Sequence, residues 1–479
     1  MRPRVLLALF LGTCLIVAIP IGAAAQSADQ LSDGVREFVE VDAPRFALTH
    51  VTLIDGTGAE ARSDQTVVVE NGRITAVGPS GDVQIPAEAE EMDMSGHTLI
   101  PGMVGLHNHM FYMAVGGRQS QANYTAPRLY LASGVTTIRT TGSVSPYADI
   151  NVKHNVDRGT TPGPRIHVTA PYITGPAGGG ITDMANLQSP EQARRFVAYW
   201  AEEGATWIKA YTDIRRAELK AAIDEAHKHG IKVTGHLCSI TFQEAVELGI
   251  DNIEHGFDTA SDFLPDKQPD ECPQNAMMTI ADVGDPSGET ARQVTLAMVQ
   301  SGIGMTSTMA VIEPFIANRP VDERALEAMA PEVREAYMQA REAIDNQGRG
   351  LTEDHLTKSM AFERGFVESG GILAAGVDPT GIGGAIAGFG DQRNYELLSE
   401  AGFSPGATVK IMSANGAAIL GEDELGTVEV GKLADLVLIE GDLASDPAII
   451  KNVTIVFKDG VGYDSKALIE SVKGRVGIN

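Results

Sequence analysis

The rhythm of apolar and polar positions changes twice along the chain. Phe46-Ala-Leu-Thr-His-Val-Thr-Leu-Ile-Asp55 alternates, is rich in β-branched residues and breaks at Gly56-Thr-Gly58. Gln65-Thr-Val-Val-Val-Glu70 then ends at Asn71-Gly72, and Arg73-Ile-Thr-Ala-Val-Gly78 follows at hairpin spacing. The same style returns in Gly426–Gly431, Asp435–Glu440 and Asn452–Phe457, with Asp459-Gly460 as a tight turn, so both ends predict short antiparallel strands. Between them, short apolar runs alternate with helical periods, the signature of βαβ units on a parallel sheet. Eight such strands are predicted: Thr98–Leu106, Gly134–Thr140, Arg165–Thr169, Thr206–Tyr211, Lys232–Gly235, Asn252–His255, Gly304–Thr308 and Gly371–Gly376. Helices fill the gaps; Glu191–Glu203 follows the cap Ser189-Pro190, and Glu218–His229 ends in Gly230. Eight strands with intervening helices are the count of a (β/α)8 TIM-like barrel, an α/β fold; a doubly wound open sheet is the competing arrangement. No repeat of fixed period and no low-complexity linker interrupts the pattern.

One apolar run stands outside it. Arg2 and Arg4 precede Val5 to Ile21, and Gly22-Ala-Ala-Ala25-Gln26 follows, which is the layout of a secretory signal peptide over residues 1–25. The expected destination is the periplasm or the medium. An uncleaved anchor is the alternative, because about 17 apolar residues lie at the lower edge of what spans a bilayer. No second long apolar span occurs, so no membrane association is expected after cleavage. The mature chain keeps Cys238 and Cys272, which form no disulfide framework but allow one bridge. The balance of 37 Lys+Arg against 63 Asp+Glu, a net −26, excludes nucleic acid and anionic membranes as main partners.

Candidate chemistry gathers at the ends of the predicted parallel strands. Pro101-Gly-Met-Val-Gly-Leu-His-Asn-His109 puts His107 and His109 at i and i+2 on one strand face, where both can bind one metal ion and imidazole suits zinc. Ala205-Thr-Trp-Ile-Lys209-Ala-Tyr211 ends an apolar strand in a lysine with no local carboxylate. A buried ammonium is penalised there, and the neutral amine can condense with carbon dioxide to a carbamate that bridges two metals. His236, His255 and Asp378 stand at three further strand tips. Together they make four histidines, one lysine and one aspartate at the mouth expected for a barrel's active site.

These motifs, with Asp55-Gly-Thr-Gly58, Asn71–Gly78, Ala375-Gly-Val-Asp378 and Gly431-Lys-Leu-Ala-Asp-Leu-Val-Leu438, resemble the amidohydrolase superfamily of metal-dependent hydrolases. The similarity is greatest to its exported imidazolonepropionase-like and prolidase-like members. It implies that residues 44–99 and 421–479 form one small β-sandwich and that residues 100–420 form the hydrolase barrel. It further implies two Zn2+ ions: His107, His109 and Asp378 on the more buried one, His236 and His255 on the other, and carboxylated Lys209 bridging both. Two departures are visible. The family usually has Asp where this chain has Gly105, so an orienting contact is missing or supplied elsewhere, and Pro379 stiffens the turn after Asp378.

The reaction implied is hydrolysis of an amide bond in a dipeptide or N-acyl amino acid by a hydroxide held between the metals. Asp378 is the expected general base and then acid, and Tyr211 the expected donor to the developing oxyanion. A cyclic amide or lactam hydrolase, or a lactonase, is the alternative on the same site. A deaminase is disfavoured because Glu254 should face away from His255 on the strand. Arg139, His154, Tyr172 and Arg118 are candidate contacts to a small-molecule amide substrate. A homo-oligomer is allowed, with no seam readable.

Overall fold

The computed structural model describes residues 25–114, 118–176, 184–347 and 350–477. The apolar N-terminal run lies outside the described residues, as do residues 177–183. No helix among the described residues is long and apolar enough to cross a membrane.

The fold is mixed α/β with a parallel sheet, consistent with a TIM-like barrel. Its eight principal strands are β1 (Met103–Asn108), β2 (Val135–Thr140), β3 (Arg165–His167), β4 (Trp207–Ala210), β5 (Lys232–Gly235), β6 (Asn252–Glu254), β7 (Gly304–Ser307) and β8 (Leu373–Ala375). β1 pairs with β2 and β2 with β3, while β4 through β8 pair in sequence order, all in parallel. β8 meets β1 through Ala375 and Gly105, and a parallel bridge joins Thr169 to Trp207 between β3 and β4. Seven of the eight predicted runs contain one of these strands, and the first, Thr98–Leu106, overlaps β1. The helices between them bury apolar faces on the sheet; Pro190–Glu202 starts where expected, with the Ser189 hydroxyl accepting from Gln192 N–H.

The first predicted strand divides in two. His97–Pro101 joins the other sheet, whereas Met103–Asn108 enters the parallel one. Gly102 makes the crossing possible, since a Cβ there would lie 2.2 Å from the Thr136 hydroxyl. The other sheet has nine strands drawn from both chain ends, in the order Val39–Val41, Val461–Asp464, Val453–Lys458, Leu436–Glu440, His97–Pro101, Arg45–Leu53, Arg62–Glu70 and Arg73–Pro79, with Glu90–Asp93 added beside Arg45–Leu53. It has its own core of Phe46, Leu48, Val51, Val67, Leu99, Leu436 and Phe457, with the Phe46 and Phe457 rings stacked at 4.9 Å. Gly426–Gly431 forms no strand. It is a turn segment tied to the sheet by Val428 N–H to Asp55 O and Gly431 N–H to Ile74 O, with Val430 exposed to solvent.

Candidate metal centre

Because the eight strands run in one direction, their C-terminal ends lie together, and the side chains there line one cavity of about 580 Å³. His107, His109, Tyr172, Lys209, Tyr211, Asp213, His236, His255, Asp378 and Thr380 all contribute to it. His107 Nε2 lies 3.5 Å from one Asp378 oxygen and His109 Nε2 lies 3.3 Å from the other. His255 Nε2 is 4.0 Å from Asp378, and the His236 and His255 rings are 4.3 Å apart. Ligand atoms of His107, His255 and Asp378 fall within 4.8 Å of one another, close enough to share an ion. All six predicted ligands therefore share one cavity.

The backbone supports this convergence. Gly376 brings β8 against β1, since a Cβ there would meet His107 N at 2.2 Å. His255 and Asp378 adopt left-handed backbone with φ of 68° and 47°. Neither is glycine, and Asp378 also precedes proline, so both positions carry strain of the kind that persists at functional sites. Thr380 Oγ1 donates to Asp378 Oδ1 at 2.8 Å, holding the carboxylate within that turn.

The outer ring nitrogens are held as well. His109 Nδ1–H donates to Gly142 O at 3.1 Å, His255 Nδ1 lies 2.7 Å from Thr308 Oγ1, and His107 Nδ1–H donates to Glu254 Oε2 at 2.8 Å. The nitrogens left over are the Nε2 atoms aimed at the cavity. His255 Nε2 and Lys209 Nζ are buried with no hydrogen-bond partner in the protein. Orphaned donor atoms facing imidazoles and a carboxylate suit a bound cation, and the residues fit a metal centre.

Burial shifts the protonation equilibria in the same sense. Lys209 is pushed down to about 8 by burial, with the Arg139 cation adding to the effect and the Glu254 and Asp378 carboxylates opposing it. Burial and the Lys209 charge bring His236 down to about 3, keeping its imidazole neutral. His236 thus keeps its lone pair at neutral pH, and the Lys209 amine becomes substantially neutral near pH 8. Tyr211 is pushed up to about 12, chiefly by burial, and so stays a hydroxyl donor.

Three expectations are corrected. Arg139 makes no contact with the cavity: it is fully buried beneath it, donating from Nε to Leu106 O at 2.8 Å and pairing through Nη2 with Glu254 Oε1 at 2.5 Å. It is a strand-interior residue of β2, and alternation points it inward rather than toward the mouth. His154 lies on the exposed face of the helix Pro146–Asp157, away from the site. Glu254 does not turn away from the histidines, because the left-handed turn at His255 ends the strand alternation and leaves both side chains on the inner side. Tyr172 lines the cavity, and the Arg118 side chain lies outside the described residues.

Glu254 was not recognised from sequence, yet it supplies the contact that Gly105 cannot make. The space beside Gly105 is filled by Asn108, whose side chain a Cβ would meet at 2.3 Å. The lone buried arginine on β2, which requires a carboxylate, was the available signal. Cys238 and Cys272 form a disulfide that ties the segment after His236 to the loop before the helix Ala276–Val283.

Comparison with known proteins places the molecule. A curated dihydroorotase of Mycobacterium tuberculosis is 31% identical over 134 residues, 27% of this chain and 30% of that protein. An imidazolonepropionase of an Arthrobacter species is 29% identical over 193 residues, 37% of this chain and 44% of its own length. The chain thus spans less than half of either relative. Among solved structures, "putative prolidase from Bifidobacterium longum" superposes with a TM-score of 0.64 at 26% identity, covering 91% of this chain and 99% of that one. Phenylurea hydrolase B gives a TM-score of 0.65 at 20% identity over 91% of this chain and 100% of its own, a likeness of fold. Homologues in the family concerned are metal-dependent hydrolytic enzymes that act on amide or C–N bonds of small molecules. The model of the amidohydrolase family matches residues 98–462, and the chain belongs to that family.

Proposed function

We propose that this protein is an exported binuclear zinc hydrolase that cleaves the amide bond of a dipeptide or N-acyl amino acid. The observation that carries the reading is the convergence of His107, His109, Lys209, His236, His255 and Asp378 on one cavity, with Lys209 Nζ buried and unpartnered among them. His107, His109 and Asp378 would hold one zinc, His236 and His255 the other, and carboxylated Lys209 would bridge the two. Bound there, the ions would supply a water of lowered pKa and polarise the scissile carbonyl.

The chain's own groups then have separable tasks. Asp378, 3.3 Å from His109 and held by Thr380, takes a proton on its carboxylate and returns it to the departing amine. Tyr211 remains protonated at working pH and donates to the carbonyl oxygen as charge develops. Tyr211→Phe is expected to lower kcat/KM by ~10²-fold at unchanged metal content; an unchanged kcat/KM removes Tyr211 from the chemistry. The likeness to the Bifidobacterium longum protein supports a peptide substrate, and the curated imidazolonepropionase supports the cyclic-amide alternative.

The architecture proposed with this activity is a closed (β/α)8 barrel over residues 100–420 and a composite β-sandwich over 44–99 and 421–479. Two observations support it: the β8-to-β1 and Thr169-to-Trp207 pairings, and the separate apolar core of the nine-stranded sheet. Export is supported by the layout of residues 1–25 and by the Cys238–Cys272 disulfide, since such bonds persist in oxidising compartments.

The test is amine release from a panel of Xaa-Pro and other dipeptides, N-acyl amino acids, lactams and lactones, with zinc- and bicarbonate-reconstituted protein and a chelator control. Chelator-sensitive cleavage of linear amides is the expected result. Turnover of cyclic substrates alone would move the assignment to the alternative, and ammonia without chain cleavage would overturn both.

A further inference from the structure

Beneath the cavity lies a buried ion pair that touches neither the solvent nor the space a substrate would fill. Glu254 and Arg139 are both 0% exposed. Glu254 divides its two oxygens between two tasks. Oε2 accepts from His107 Nδ1–H at 2.8 Å, while Oε1 accepts from Arg139 Nη2, the Thr234 hydroxyl and Asn252 Nδ2. Arg139 is fixed in turn: its Nε donates to Leu106 O at 2.8 Å and to Thr141 Oγ1 at 3.3 Å, and its guanidinium sits 4.4 Å from the Trp207 ring centroid. Three donors on Oε1 leave the carboxylate no freedom to rotate, so Oε2 is held at one place beside β1.

That place decides which nitrogen of His107 carries the proton. A carboxylate only accepts, so the hydrogen is on Nδ1 and the Nε2 lone pair faces Asp378, 3.5 Å away. The treatment differs from that of the neighbouring histidines. His109 meets a neutral carbonyl and His255 a neutral hydroxyl at the equivalent nitrogen. Only the His107 ring, of these three, rests on a charge, and an anionic partner makes an imidazole both better oriented and more basic toward a metal. The cost of burying that anion is offset by Arg139, which reaches it from β2.

We propose that Glu254 and Arg139 form a positioning pair that sets the Nδ1–H tautomer of His107 and thereby the affinity of the metal held by His107, His109 and Asp378. The inference rests on the metal-centre reading above and adds to it an asymmetry between the two ions. Glu254 acts through His107 and Arg139 acts through Glu254; neither reaches the substrate.

The experiment is a zinc titration against a competing chelator, read by metal content, on wild type, Glu254→Gln and Glu254→Asp, with thermal melts of each metal-free protein. Glu254→Gln keeps the size and removes the charge. Glu254→Asp keeps the charge for Arg139 and withdraws the oxygen from His107, which guards against a Gln variant that fails to fold. In the folded variants one zinc equivalent should bind ~10- to 100-fold more weakly while the other keeps its affinity. Wild-type affinity for both equivalents in either folded variant overturns the proposal and leaves the metal centre standing. An equal loss at both sites also overturns it, because general loosening has no preference for His107. Wild type that takes up no zinc overturns the metal centre and this pair together.

Discussion

Lys209 is the residue on which the proposed reaction turns. A lysine at a strand tip normally extends its ammonium to water, but this one is 1% exposed, has no hydrogen-bond partner and has been pushed down to about 8. Its amine is therefore substantially neutral near pH 8, the form that can take up carbon dioxide. Lys209→Ala should retain the fold and bind at most one zinc equivalent. Its kcat/KM should fall by more than the ~10- to 100-fold that loss of an outer partner of a ligand costs. Metal analysis and steady-state kinetics, each with and without bicarbonate, check this; two zinc equivalents at full activity would remove the carbamate. That these six residues gather at one cavity was legible in the sequence because each stands at or just beyond the end of an apolar strand, and one-dimensional spacing captures that. Glu254 was not legible, since the alternation rule holds only while the strand continues, and the 68° φ of His255 ends it one residue early. Arg139 was misread for a related reason: sequence gives its place on β2 but not that its partner arrives from β6.

At the scale of elements, two connections between distant segments carry measurable consequences. Glu363, on the helix Glu353–Glu368, is buried near Ser307 at the end of β7 and is pushed up to about 8 by burial, with Asp258 adding to the shift. A folded-state value above that of the unfolded chain means the native state holds the proton more tightly. The stability this contributes is complete below about pH 4.5 and is lost as pH rises toward 8. Glu363→Gln mimics the neutral form throughout. Denaturant unfolding of the two proteins should show the variant gaining on wild type by up to about 1.4 kcal/mol per pH unit across that window. Parallel pH profiles would show that Glu363 is ionised in the fold. The second connection is the disulfide, which closes a loop of sequence separation 34 between Cys238 and Cys272, two residues beyond His236. Cys238→Ser should cost about 3–4 kcal/mol by the loop-entropy argument, and unfolding midpoints with and without reductant measure it. A midpoint insensitive to reductant would mean the bond is not formed in the isolated protein. Strand identity was readable from pattern across the parallel sheet. The split at Gly102 was not, because a continuous apolar run from Thr98 to Leu106 conceals a chain that leaves one sheet for another.

For the whole molecule, the proposed ligands are distributed so that metal binding and folding are one equilibrium. They come from the ends of β1, β4, β5, β6 and β8, strands spread over residues 103–375. In the unfolded chain these groups are far apart, so ions that bind all of them at once bind only the native state. Without metal, the same cavity gathers four imidazoles, a lysine and a carboxylate in a buried space, with His255 Nε2 and Lys209 Nζ unsatisfied, and each such group carries a desolvation penalty. Removing metal should therefore lower stability as well as activity. At free zinc 100-fold above the dissociation constant, one site contributes about 2.7 kcal/mol, and two sites proportionately more. Differential scanning calorimetry with a chelator should show Tm falling and returning on readdition of zinc, with Tm rising with the logarithm of free zinc. A Tm independent of free zinc, in protein shown to hold the metal, would mean that the ions bind the unfolded chain as tightly as the native one, and that the cavity at the C-terminal ends of β1 and β8 is not what holds them.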